Sequence, residues 1–192
     1  MLTDPKLFNM SPRRLSISTV GIIPGIRKLT KEYPQVNLAF SLHSPFEEQR
    51  NRIVPVNKTH PFPLVLEALD DHIRETGRKI FVAYLVLDGH NDTEEHAKAV
   101  ADLLTQKRPK DVRHLYHMNL LRMNPISLGE GRVYTKTDEG NMNRFRDSLV
   151  QHGLKSITIR HPFGVEMDAA CGQLFAQYEA KKVRTFGASG QL

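Results

Sequence analysis

Cys171 is the one cysteine of the chain, and it stands in Asp168-Ala169-Ala170-Cys171-Gly172-Gln173-Leu174, where small neighbours leave its sulfur sterically open. A thiolate in such a setting is a nucleophile, whereas the same residue in apolar surroundings is a small buried hydrophobe. Both readings stay open on these residues alone. A lone thiol does exclude an internal disulfide, a cysteine-rich zinc site and an iron–sulfur cluster held by this chain, since each needs several thiolates. Ser41-Leu42-His43-Ser44-Pro45 offers two hydroxyls and an imidazole in one short run. Such a group either grips a small polar ligand or caps the helix that follows. Asn124, ahead of Pro125, carries an amide whose donors and acceptor can read the edges of a ligand, or which closes an Asx turn. No second histidine or carboxylate lies at ligand spacing from His43, so no metal centre is expected, and most of the nine histidines are expected on the solvated surface. Asp88-Gly89-His90-Asn91-Asp92 lacks the terminal bidentate glutamate of a calcium loop and reads as a plain turn. Gly21-Ile22-Ile23-Pro24-Gly25 lacks the Lys-Ser/Thr of a phosphate loop, and a Gly-Xaa-Ser-Xaa-Gly elbow is absent.

These residues need elements to position them, and the sequence supplies an alternating set. Strand-like runs at 15–20, 36–42, 80–87, 114–122 and 156–160 alternate with helical stretches at 26–32, 47–53, 63–76, 94–106 and 139–152. The run at 80–87 (IFVAYLVL) is nearly all apolar, as for a central parallel strand buried on both faces. In the helix at 63–76, Leu64, Val65, Leu66, Leu69 and Ile73 mark one face, Thr93 caps the helix at 94–106, and Gly153 closes the one at 139–152. Residues 126–137, with two glycines, read as a loop. Strand–helix alternation of this kind predicts an α/β fold with a parallel sheet or part of a barrel, whose functional residues gather at strand C-termini. That rule selects Ser18 and Thr19, residues 41–44, 88–91 and 119–124, and the segment after Arg160. The 192 residues suit one domain, with an α/β unit over 1–178 and a flexible tail over 179–192. A net charge of +6 and a pI near 9.5 suit a polyanionic partner. No apolar run approaches a membrane span and no signal-peptide core is present, so a reduced, cytoplasmic setting is expected.

Four segments together carry a family resemblance: 16–25 (SISTVGIIPG), 33–45 (YPQVNLAFSLHSP), 115–125 (LYHMNLLRMNP) and 168–174 (DAACGQL). They resemble the radical-SAM ribosomal RNA adenine methyltransferases of the Cfr/RlmN type, over about residues 2–178, and FSLHSP with LYHMNLLRMNP is closer to the Cfr branch. The resemblance implies the second half of a radical-SAM partial (β/α)6 barrel. It places Ser18, Ser41, Leu42, His43 and Asn124 on S-adenosylmethionine-binding positions and Cys171 on the cysteine that becomes methylated on sulfur. In that family a [4Fe-4S] cluster and a second S-adenosylmethionine generate a radical that activates the methyl-cysteine for addition to adenine, because an amidine carbon is not nucleophilic. The implied substrate is 23S ribosomal RNA, with carbon 8 of an adenosine as target. The cluster's Cys-Xaa3-Cys-Xaa2-Cys loop belongs to an N-terminal half that this chain lacks, so the chain is expected to need that half and to be inactive alone. An RlmN-like carbon-2 enzyme acting on rRNA or tRNA, or a non-catalytic RNA-binding remnant, are the alternatives.

Overall fold

The computed structural model describes residues 1–123, 126–128, 132–134 and 137–160, so Asn124, Cys171 and the expected tail lie outside the described residues. Strands β1 (Ser16–Thr19), β2 (Asn37–Ser41), β3 (Ile80–Val86), β4 (Tyr116–Arg122) and β7 (Ile157–Arg160) form a five-stranded sheet in the order β1-β2-β3-β4-β7, every neighbouring pair parallel. Helices α1 (Ile23–Glu32), α2 (Glu47–Ile53), α3 (Phe62–Thr76), α4 (Glu94–Leu104) and α5 (Glu139–Gln151) lie between them in sequence. Strand order follows chain order without reversal. Right-handed crossovers in a single direction send every connecting helix to the same side of the sheet, which is how an arc of a barrel is built.

That winding decides which residues are buried. Ile80, Val82, Tyr84 and Val86 on β3, with Leu38, Phe40, Tyr116, Met118 and Leu120 on its neighbours, form the core against the helices. The alternate residues Phe81, Ala83 and Leu85 are only half-buried, so the central strand is covered on one face and not on both as expected. Its apolar run is nevertheless explained, because the second face is the concave, partly enclosed side of the arc. On α3 the buried stripe is Phe62, Val65, Leu66, Leu69, His72 and Ile73, the spacing of one helical face. Leu64 falls off that stripe and is 50% exposed, contrary to the expected apolar face.

Two polar contacts fasten the helical layer. Asp70 on α3 is buried, accepts from the Tyr116 hydroxyl at 2.7 Å, and pairs with Arg108 at 3.0 Å. Burial pushes its carboxyl up, while Tyr116 and then Arg108 pull it back. Thr30 on α1 meets His72 Nδ1 at 2.8 Å and donates to the Ile26 carbonyl. The capping expectations hold: Thr93 accepts from the His96 amide, and Gly153 adopts φ 93° after α5. Residues 126–137 are not wholly loop, since β5 (Ile126–Leu128) and β6 (Arg132–Tyr134) pair antiparallel. Three residues a side are too few to show strand periodicity in a sequence. No described helix is long and apolar enough to cross a membrane.

The β1–α1 junction is the tightest turn. Gly21 sits at φ 110°, and a Cβ there would lie 2.9 Å from Val65 Cγ2 and 3.2 Å from Phe40 Cε2. Thr19 Oγ1 accepts from the Gly21 and Ile22 amides at 3.1 and 3.2 Å, which starts α1 directly at the strand end. Gly21→Ala therefore combines backbone strain with overpacking. It is expected to lower stability by about 2 kcal/mol, read as a drop in urea midpoint at unchanged slope.

Candidate functional site

The register of the sheet sorts its concave face into rows. Ser18 lies beside Ala39, and one row further Ser41 lies beside Ala83, then Asn119, then Thr158. Two small alanines thus separate polar side chains near the strand C-termini, leaving a polar floor with room above it. Ser41 is anchored through its carbonyl, which accepts from Arg50 Nη2 at 2.9 Å, and its hydroxyl has no hydrogen-bond partner among the described residues. Ser18, on the edge strand β1, is exposed.

Beyond Ser41 the chain makes an abrupt turn. The Ser44 amide donates to the Leu42 carbonyl at 2.8 Å across His43, whose φ is +59°. This is a γ-turn of the rarer, positive-φ kind, which costs about 1–3 kcal/mol unless surrounding contacts hold it. They do. His43 Nδ1 accepts from the Leu85 amide at 3.0 Å, and its carbonyl accepts from Asn91 Nδ2 at 2.9 Å. With Nδ1 accepting, the neutral ring carries its proton on Nε2, which has no partner among the described residues and can donate to a ligand. Leu42 itself is wholly buried: its amide donates to Ala83, and its carbonyl accepts from both Ser44 and Arg50. It contributes position and not a free polar atom.

Behind the turn lie residues that strand-end reasoning passed over. Arg50 is fully buried, and its guanidinium donates to the carbonyls of Leu42 (3.0 Å), Val20 (2.8 Å) and Ser41 (2.9 Å), and to Asn57 Oδ1. Burial lowers its pKa to about 10. Asn91 is fully buried too, accepting from the Leu87 amide at 2.7 Å and donating to the carbonyls of His43 and Leu85. The turn at 88–92 is thus a plain turn in chemistry, yet one of its residues clamps the rim. Ser44 accepts from the Phe46 amide and donates to Gln49 Oε1, which also meets His96 Nε2 at 3.0 Å. So Ser44 organises the entry to α2, while His43 points to β3 and caps nothing. The spacing of Phe46, Arg50, Ile53 and Val54 put Arg50 on the inner face of α2, and that was the available signal for it.

Of the residues assigned by resemblance, Ser18, Ser41 and His43 lie at the C-terminal ends of β1 and β2, Leu42 supports the turn there, and Asn124 and Cys171 lie outside the described residues. The expectation that most histidines are solvated is corrected. Among the described ones only His90 and His114 are exposed. The rings of His43, His72, His96, His117 and His152 are built into hydrogen bonds, as with His117 between the Ser156 and Thr158 hydroxyls at 2.8 and 2.9 Å. A cavity of about 270 Å³ lies on the other side of β1, lined by Ile17, Ile26, Leu29, Tyr33 and Leu38. Its apolar walls offer little to a polar ligand, and it touches the rim only through Ser18 and Thr19.

The donor set does not fit an iron–sulfur cluster. The chain has one cysteine, and among the described residues no three His, Cys, Asp or Glu side chains gather to hold a metal ion.

A parallel sheet wound in one direction, with polar groups gathered at its strand ends, is the architecture of the radical SAM methyltransferases. The chain matches one from Sphaerobacter thermophilus with TM-score 0.76 at 33% identity, over 90% of this chain and 47% of that one. By sequence it is similar to proteins named Cfr, ribosomal RNA large subunit methyltransferases. It is 50% identical to Cfr of Staphylococcus aureus over 177 residues, 92% of this chain and 50% of that protein. It is 47% identical to Cfr of Bacillus velezensis over 182 residues, and 49% identical to Cfr of Shouchella clausii over 183, each covering 51% of the relative. The chain spans about half the length of the curated relatives it matches. No family model matches it.

The partly buried His43 makes the rim sensitive to acid. Its pKa is lowered from 6.5 to about 4, by burial first and by the Arg50 charge second. Between those values the unfolded chain takes up a proton that the folded chain refuses. Stability is therefore expected to fall as pH drops from about 6.5 to about 4, by roughly 1 kcal/mol per unit. His72, His96 and His117 are lowered by burial as well and act in the same direction. Urea midpoints measured between pH 7 and 4 should fall accordingly, and His43→Asn, which tolerates the positive φ, should flatten the slope.

Proposed function

We propose that this chain is the S-adenosylmethionine-gripping, methyl-accepting portion of a Cfr-type methyltransferase that modifies carbon 8 of an adenosine in 23S ribosomal RNA. Three of the residues that the resemblance assigns to the cofactor, Ser18, Ser41 and His43, stand on one polar rim, and that convergence carries the proposal. A matched stretch of 177 residues leaves only 15 of the 192 outside it, so it also contains Asn124 and Cys171. In this reading the serine hydroxyls and His43 Nε2–H hydrogen-bond the polar ends of S-adenosylmethionine, and the Asn124 amide reads a further edge.

Cys171 is the catalytic residue of the proposal. Its thiolate attacks the sulfonium methyl of S-adenosylmethionine: the new C–S bond forms, the old one breaks, S-adenosylhomocysteine leaves, and the thiol proton goes to solvent. Moving that methyl onto a non-nucleophilic adenine carbon requires radical chemistry, which a [4Fe-4S] cluster supplies in radical SAM enzymes. The single thiol here cannot hold such a cluster. The N-terminal half of a full-length enzyme is proposed to bring it, and this chain by itself is proposed to be inactive. The +6 charge suits a ribosomal RNA partner, and a cytoplasmic setting follows from that partner.

The test is made in an assembled enzyme in which an N-terminal half precedes residue 1. Mass spectrometry is expected to find a methylated peptide 168–174 and methylated adenosine in the ribosomal RNA, both lost in Cys171→Ala. Ser41→Ala or His43→Asn should instead weaken cofactor binding by about 1–3 kcal/mol, rescued in part by excess cofactor. Methylated adenosine formed by Cys171→Ala would overturn the role of the thiol. RNA binding without methylation in the assembled enzyme would favour the non-catalytic reading. Given iron and sulfide anaerobically, the 192-residue chain alone should stay colourless.

A further inference from the structure

We infer that Arg50 is a positioning residue for the ligand rim, locking the C-terminal ends of β1 and β2 so that Ser41 and His43 face a ligand. The inference rests on the proposed use of that rim by S-adenosylmethionine. Arg50 is fully buried and has no carboxylate partner among the described residues. Burying an unpaired cation is costly, and a methionine or leucine would fill the same space between the Phe40 and Phe62 rings at lower cost. Only a guanidinium reaches the acceptors found here. One nitrogen, Nη2, bridges Val20 beyond β1 to Ser41 at the end of β2, while Nε holds the Leu42 carbonyl. Leu42 is where the γ-turn begins, so the orientation of His43 is inherited from this contact. Nη1 rests on Asn57, whose amide group also holds Asn51 and whose oxygen takes the Phe62 amide, which fixes the guanidinium from the helical side. The cation lies behind the rim, with backbone between it and the concave face, and acts through its neighbours.

The test compares the 192-residue chain with Arg50→Lys, which keeps the charge but not the planar fork. The Leu85 amide, donor to His43 Nδ1, reports the turn, and the Val82 amide in the middle of β3 reports the fold as a whole. In the variant, Leu85 exchange with solvent should accelerate by about tenfold or more while Val82 is unchanged, and the Kd for S-adenosylhomocysteine should rise by about tenfold. Unchanged Leu85 exchange and unchanged Kd in a folded variant would overturn the inference. Should Arg50→Lys fail to fold, exchange in the parent chain decides. The Arg50 Nε–H and the Leu85 amide should then open together at lower denaturant than Val82, and opening only with the whole fold would contradict a positioning role. If the parent chain binds no S-adenosylhomocysteine while Leu85 responds as expected, the cofactor reading fails and the locking of the turn stands.

Discussion

The concave rim of this protein depends on a cation that has no counter-ion among the described residues. Arg50 lies in the core and is satisfied by three backbone carbonyls and one amide oxygen. Those carbonyls belong to the ends of two adjacent parallel strands, where main-chain oxygens run out of ladder partners. An apolar side chain would take this donor away from the Val20 and Ser41 carbonyls, and a carboxylate partner would draw the guanidinium away from them. The arrangement converts a desolvation cost into a fixed geometry for the residues next in sequence.

The same solution recurs along the rim with smaller groups. Thr137 is buried, donates to the Val86 carbonyl at 2.7 Å and accepts from the Met123 amide at 2.8 Å, joining the ends of β3 and β4. Asn91 joins the end of β3 to the turn at His43. The ends of β1, β2, β3 and β4 are thereby tied, each to the next, by side chains arriving from outside the sheet. The helices cover only one face, because the strands are wound in one direction, and the concave face is left for polar chemistry. Rigid strand ends around an uncovered floor suit the binding of a small polar cofactor better than a loop-built site would.

Much of the architecture was legible because each strand was bounded by a turn signal and each helix kept its apolar spacing. The strand ends then pointed to Ser18, Ser41 and His43 before any side chain was placed. What escaped was the support behind them. Arg50 sits among the charged residues of Glu47–Ile53, and charge alone reads as surface; burial becomes visible only when Val20 and Ser41, distant in sequence, are brought to it by the parallel pairing of β1 and β2. Asn91 was hidden in a run of turn formers, where its ordinary role and its clamping role need the same residue type. The histidines misled for a related reason. An unperturbed imidazole is at home in water, and only tertiary packing shows that His72, His96 and His117 are held by hydroxyls and amides in partly dry sites.

Amide and side-chain chemical-shift mapping with S-adenosylhomocysteine tests the central claim, that the strand ends ordered by Arg50 form a cofactor-binding rim, most directly. The account predicts saturable shifts confined to the C-terminal ends of the strands, centred on Ser18, Ser41, His43 and the Leu85 amide, with His43 Nε2–H drawn into a hydrogen bond. Shifts clustered at the opposite ends of the strands or in the apolar cavity between α1 and β1, or no saturable shifts at all, would contradict it.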